Sequence, residues 1–262
     1  MAQLDTAYYL YCLTPPGGAL ELSQGGVFVE DPGRIRAVLS EVRREEFSGD
    51  AAEERLKDLA WLAPRAALHE AVVEQVMGQA PVLPAPFATL FESRESVRRF
   101  VLDYSAPIAG FFRDLGNKRE WAVKGLLHRS QPGEESGADC EGAAAGKSYL
   151  HKKRSQAASR DAMRQRLRAA CEQAAAALKQ QADDFRERKV WKAGQTDGQP
   201  ELIFNWAFLL PPGDEAAFRQ CITKLEEQHR PLGLSLLISG PWPPYSFAPA
   251  LGPASARDEN SR

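Results

Sequence analysis

The segment GAAAGKS, Gly142 to Ser148, is where the chain comes nearest to a phosphate-binding loop. Such a loop works because glycine-rich backbone N–H groups surround the phosphates directly after a strand. Four residues separate its first glycine from the Gly-Lys pair. Here three residues intervene, and the preceding EESGADCE is acidic and not strand-like. Glu134, Glu135, Asp139 and Glu141 would repel an anion placed there. A nucleotide-dependent enzyme acting through Lys147 is therefore an alternative that the segment supports poorly.

His69 stands in HEAVVEQVM beside Glu70 and near Glu74. A general base or metal ligand would need a second group at helical spacing, and no histidine or cysteine occupies one. His69 reads as a helix-face histidine held by packing or a hydrogen bond. The acidic pairs Asp183–Asp184 and Glu226–Glu227 fall on charged helices. Adjacent residues on a helix point apart, so neither pair is a carboxylate dyad. No serine sits in a GxSxG elbow. The cysteines, Cys12, Cys140, Cys171 and Cys221, form no CxxC. The histidines, His69, His128, His151 and His229, form no HExxH. No catalytic, cofactor or metal set is expected. The unusual features are instead apolar and stiff: PVLPAPFATLF and GPWPPYSFAP. Proline fixes φ and removes a ladder donor, so aromatic groups ride on rigid backbone in both. Pro84, Phe87, Phe91, Trp242, Tyr245 and Phe247 are thus the partner-binding or structural candidates.

The elements that must hold these segments follow from periodicity. TAYYLYCL, stopped by TPPGG, is a strand, and GGVFVEDPG is a second short one. RIRAVLSEVRREEF, with Ile35, Val38, Leu39 and Val42 on one face, predicts a short amphipathic helix. Leu56, Leu59 and Leu62 predict one helix or turn. Leu68, Val72 and Val76 form the stripe of another, starting near Pro64. Residues 80–91 are extended and edge-like because three prolines fall within six positions. Ser93 caps a further helix, and KREWAVKGLL is a strand. Residues 128–146 are poor in large apolar groups and predict a flexible loop. A long helix then runs to Trp191, with Met163, Leu167, Cys171, Ala174, Leu178, Ala182 and Phe185 inward. ELIFNWAFLL is an apolar strand. Asp214 caps a helix with Ala217, Phe218, Ile222 and Leu225 inward, and LGLSLLISG is the last strand. The terminal SARDENSR is polar and expected to fray.

Mixed strands and helices in both halves predict an α+β protein of two units. Their expected bounds are 1–117, 118–240 with the loop at 128–146, and a Pro/aromatic tail at 241–262. The 262 residues carry a formal net charge of −2, and nothing in that balance predicts a nucleic-acid footprint, which would be a basic face with a high pI. No apolar run reaches the roughly 20 residues of a membrane span, and MAQLDTAYYLYCL, without a basic start or a long apolar core, is not expected to act as a signal peptide. Membrane insertion is not expected, and cytoplasmic residence is.

In order, YYLYCL, WLAPRAALHEAVVEQVM, PVLPAPFATLF, KREWAVKGLL, GKSYLHKKR and GPWPPYSF resemble the gas vesicle protein family GvpL/GvpF, from about Tyr8 to Phe247. In the family, a glycine near a Tyr-Leu pair and basic residues opens the long helix. The matching positions are Gly146, Tyr149, Leu150, Lys152, Lys153 and Arg154. Where the family usually reads PLRFGT, Pro86 and Ala88 replace the arginine and glycine, which puts any contact of that arginine in doubt. The resemblance implies two α+β domains, the first ferredoxin-like, the second with a long helix. It implies a gas vesicle assembly protein that is not an enzyme. Its partners would be the hydrophobic major shell protein and other gas vesicle accessory proteins, at the gas vesicle or in the cytoplasm. The alternative is a minor structural component of the shell.

Overall fold

The computed structural model describes residues 6–31, 33–47, 50–128, 145–190 and 199–252. The expected loop at 128–146, except for its two ends, and the terminal SARDENSR lie outside them. The chain divides into two compact units, one of Met1–Glu120 with Pro241–Arg262, the other of Trp121–Gly240.

The first unit is built on β1 (Thr6–Thr14), β2 (Val27–Glu30) and β3 (Arg36–Arg43), in the order β2-β3-β1. The short strands β4 (Leu83–Pro84) and β5 (Leu90–Phe91) share the far edge of β1. All pairings are antiparallel. Pro84 at the end of β4 and Pro86 in the break before β5 keep that edge from offering a continuous row of donors. Residues 36–43 are thus a strand, not the expected helix, and only α1 (Arg44–Phe47) of that segment is helical. The reason is position. β3 lies between β1 and β2, and its first five residues are all buried. A central strand covered on both faces loses its alternation and mimics a helical stripe.

Three longer helices and one short one complete the unit: α2 (Asp50–Lys57), α3 (Leu59–Met77), α4 (Arg94–Asp103) and α5 (Ser105–Leu115). The α3 helix starts earlier than expected, because Asp58 caps it through Ala60 N–H and Pro64 falls in its second turn. Ser93 caps α4 as expected, in a reciprocal box with Ser96. Tyr9, Tyr11, Cys12 and Val38 of the sheet pack against Val72, Val73 and Val76 of α3. Leu68, expected in that stripe, is 42 % exposed, and His69 takes the inward place.

The strand order is that of a ferredoxin-like βαββαβ sheet, but no helix joins β1 to β2. A structured loop stands there, held by side chains. Gln79 accepts from Glu21 N–H at 2.8 Å and donates to Glu21 O at 2.9 Å. Gln75 accepts from the Ser23 N–H and hydroxyl. The Arg36 guanidinium donates to Pro15 O at 3.0 Å and Gly18 O at 2.6 Å. These bonds satisfy backbone groups that a crossover helix would have satisfied internally.

The second unit contains β6 (Arg119–Leu127), α6 (Ala145–Lys179), β7 (Asp184–Arg188), β8 (Glu201–Leu210), α7 (Glu215–His229) and β9 (Leu234–Trp242), with sheet order β7-β8-β6-β9. This is the complete βαββαβ plan, with both crossover helices. Trp121, Val123, Phe204, Trp206, Phe208 and Leu210 form a core with Ala170, Ala174 and Leu178 of α6 and Phe218, Ile222 and Leu225 of α7. The long helix ends at Lys179, short of the expected Trp191, and β7 pairs antiparallel with β8. Phe185, expected on the helix, still enters the core, at 5.1 Å from the Phe208 ring. Three other positions differ. Met163 and Ala217 are exposed, and Asp214 makes no side-chain cap bond, although α7 begins directly after it.

Candidate functional site

The first unit carries a buried polar chain that runs from the sheet through α3 to the C-terminal tail. The Ala88 N–H donates to Tyr9 Oη at 3.1 Å, and Tyr9 Oη lies 2.9 Å from His69 Nδ1. On the other side of the ring, Nε2 lies 3.1 Å from Tyr245 Oη, which donates to Glu70 Oε2 at 3.2 Å. One proton arrangement satisfies every member. Tyr9 donates to Nδ1, Nε2–H donates to Tyr245, and Tyr245 donates to Glu70. One residue on, Glu120, with no exposure at all, accepts from Ser246 N–H and from its hydroxyl, both at 2.9 Å. The tail is thus clasped to the unit at two successive residues. His69 is a hydrogen-bonded core histidine, as the missing second ligand had suggested.

Burial dominates the electrostatics here. It pushes His69 down to about 4, with the Ala85 carbonyl acting in the opposite direction. It raises the hydroxyls of Tyr9 and Tyr245 well above their ordinary range. It also raises Glu70, an effect that the Tyr245 hydrogen bond opposes. An imidazole whose basicity burial lowers this far is a poor general base, and its hydrogen bonds with Tyr9 and Tyr245 tie β1, α3 and the tail together.

A linkage follows for His69, whose folded value lies below the unfolded 6.5. Its contribution is fully present above pH 6.5 and is lost as pH falls toward 4. Glu70, raised in the fold, offsets part of that loss. Between pH 7 and pH 5 the histidine alone should cost ~2 kcal/mol of stability. Urea midpoints at the two pH values check this. The difference should shrink in His69→Gln, and an equal pH dependence in that variant would refute it.

Of the candidates, Pro84 is buried in β4, and Phe87 and Phe91 are half-buried. Phe87 packs edge-on against His69 at 5.9 Å, and Phe91 lies 5.1 Å from Phe100. Trp242 ends β9, and Tyr245 and Phe247 form one 3-10 turn. The structure brings Phe87 and Tyr245 together around His69; it does not bring Phe91 or Trp242 there. Ala88 has φ of 63°, the left-handed region that penalises a Cβ. Ala88→Gly should therefore stabilise the unit by about 0.5–1 kcal/mol, the strain relieved less the added unfolded-state freedom. Thermal unfolding reads it, and a lowered midpoint would contradict it.

Sequence reasoning missed the opposite face of α3. Leu59 is 75 % exposed, Leu68 42 % and the nearby Leu56 41 %. Ala60, Ala63, Pro64, Ala66 and Ala67 are exposed between them. A helix apolar all round is ordinarily buried all round, so this face lacks cover among the described residues. The sequence signal was the composition of LAWLAPRAALHEAVV, with a single cation and no acid before Glu70.

Residues 7–249 match the family described as gas vesicle synthesis protein GvpL/GvpF. The chain belongs to the GvpL/GvpF family. It is 30 % identical over 253 residues to gas vesicle protein L of Streptomyces sp. (strain CB03234), covering 93 % of each. It is 26 % identical over 267 residues to gas vesicle protein L1 of Halobacterium salinarum, covering 93 % of the chain and 91 % of the relative. Two crystal structures share the fold at 20 % identity. GvpF from Anabaena sp. PCC7120 has a TM-score of 0.65 over 94 % of this chain and 97 % of its own. GvpF from Microcystis aeruginosa has 0.62 over 93 % and 99 %. GvpL/GvpF is a family of gas vesicle proteins and not a known enzyme family, so a gas-vesicle-associated role follows. Among the described residues no helix is long and apolar enough to cross a membrane, and no group of three metal-ligating side chains occurs.

Proposed function

We propose that this GvpL/GvpF protein is a gas vesicle assembly factor whose first unit covers the apolar subunit of the vesicle shell through the outer face of α3. The carrying observation is that uncovered face: Ala60, Ala63 and Ala67 at its centre, Leu59 and Leu68 at its two edges, and Leu56 of α2 also exposed. An apolar subunit aggregates unless its surface is covered, and a rigid apolar helix face covers it without chemistry. The clasp of Tyr245 and Ser246 supports this reading, since His69 and Glu70 hold the inner side of the same helix. Pro84, Phe87, Phe91, Trp242, Tyr245 and Phe247 act in this reading as bracing and not as the contact.

Co-expression with a gas vesicle shell protein, followed by capture from the soluble fraction, tests the proposal. A defined complex is expected, and Leu59→Glu with Leu68→Glu should abolish it while leaving the thermal midpoint unchanged. Retention of the chain on washed vesicles with no soluble complex would replace this reading with that of a minor shell component. A complex that survives both substitutions would move the contact off α3.

A further inference from the structure

A second surface, in the other unit, has a different chemistry. The α6 helix carries nine Lys and Arg against two acids, a formal +7 in a chain whose formal net charge is −2. Among its described side chains, those that enter the core lie in its C-terminal half. The described side chains from Lys153 to Arg166 are exposed, a span of about 20 Å of helix. Beside this stretch runs an open groove of about 590 Å³. Met163, Leu167, Leu127 and Leu232 line it, and Arg160 and Arg164 stand along it. Met163 is 48 % exposed, an unusual state for a residue in phase with the core stripe. Arg164 meets Asp161 at 3.5 Å in an exposed pair of little strength. Arg160 has no ion-pair partner among the described residues.

We infer that this groove docks an acidic amphipathic helix of another polypeptide, its apolar stripe on Met163, Leu167 and Leu232 and its carboxylates on Arg160 and Arg164. The two arginines lie one helical turn apart on a common face, so they match carboxylates spaced three or four residues apart on a partner helix. Guanidinium groups favour such carboxylates because they bind in a planar fork. Nucleic acid fits less well, since phosphate contacts do not call for an apolar floor. A second copy of this chain fits less well too, because its surplus acid must be presented on a helix with an apolar stripe. The inference does not rest on the shell-subunit reading, which uses the other unit.

A fluorescein-labelled synthetic peptide with Leu at helical spacing and Glu elsewhere is the probe, read by anisotropy against the full chain. Binding should weaken with added salt. Arg160→Glu with Arg164→Glu should weaken it at least about tenfold without changing the thermal midpoint, because both side chains are exposed. Met163→Asp should weaken it comparably, and Leu59→Glu with Leu68→Glu should leave it unchanged. Equal binding of the Leu/Lys version of the peptide would overturn the inference, as would affinity indifferent to the arginine substitutions. Comparable affinity for a short DNA duplex, lost in the same double variant, would reassign the groove to nucleic acid.

Discussion

Gly125→Ala is expected to destabilise the second unit by ~3 kcal/mol, the high end for one added methyl in a packed core. A Cβ built at Gly125 would stand 2.2 Å from Cε1 of Phe204 and 2.4 Å from its Cζ. Flexible side chains absorb such an overlap by rotating away. Phe204 has no such freedom. It is buried in the core, and its ring lies flat on that of Trp206, 3.6 Å between centroids and 12° between planes. Trp206 in turn meets Phe185 and Phe208 edge-on. Displacing one ring therefore disturbs four. The check is a double-mutant cycle by urea denaturation. Phe204→Leu should be costly alone, yet should recover part of the loss in the Gly125→Ala background. Strictly additive effects would show that Phe204 is not what excludes the methyl group.

Truncation after Trp242 should lower the stability of the first unit by a similar amount, ~3 kcal/mol, since it strips hydrogen bonds from buried polar groups. Tyr245 supplies the acceptor for His69 and the donor for Glu70. Ser246 donates twice to the Glu120 carboxylate, through its N–H and its hydroxyl. Pro243 and Pro244, both buried, leave with them. Tyr245→Phe separates the polar contribution from the packing. It keeps the ring, removes one hydroxyl, and should cost about 1–2 kcal/mol. Hydrogen exchange locates the effect, with protection expected to fall in β1 and α3. An unchanged melting temperature in the truncated chain would show that the tail is not part of the fold's support, and would return Trp242, Tyr245 and Phe247 to the list of partner contacts.

Most elements were legible because their apolar spacing was local. β1, β6, β8 and β9 are bounded by turn residues, and the Ser93 cap lies next to its helix. Two errors share one cause. Apolar positions in β3 and around Phe185 satisfy a helical period, but each is decided by a strand partner far along the chain, β1 for β3 and β8 for β7. The family resemblance led to a ferredoxin-like first domain, and strand order agrees. The absent crossover helix could not be read, because its substitutes, Arg36, Gln75 and Gln79, are ordinary surface residue types made structural by polar groups of a distant loop. His69 posed the same difficulty. Its partners Tyr9 and Tyr245 lie 60 and 176 positions away, so local spacing could exclude a metal site but could not find the clasp.

The division of the chain also has a consequence in time. The second unit is one continuous stretch, whereas the first is interrupted after Glu120 and resumes at Pro241. On a ribosome, the second unit has all its strands and helices before Tyr245 and Ser246 exist. At bacterial and eukaryotic elongation rates those residues follow Glu120 by roughly 6–25 s. For that interval α3 lies without its clasp, and the Glu120 carboxylate lacks the donors that Ser246 will bring. The N-terminal unit is thus begun first and finished last, and its closure waits on the emergence of Tyr245 and Ser246.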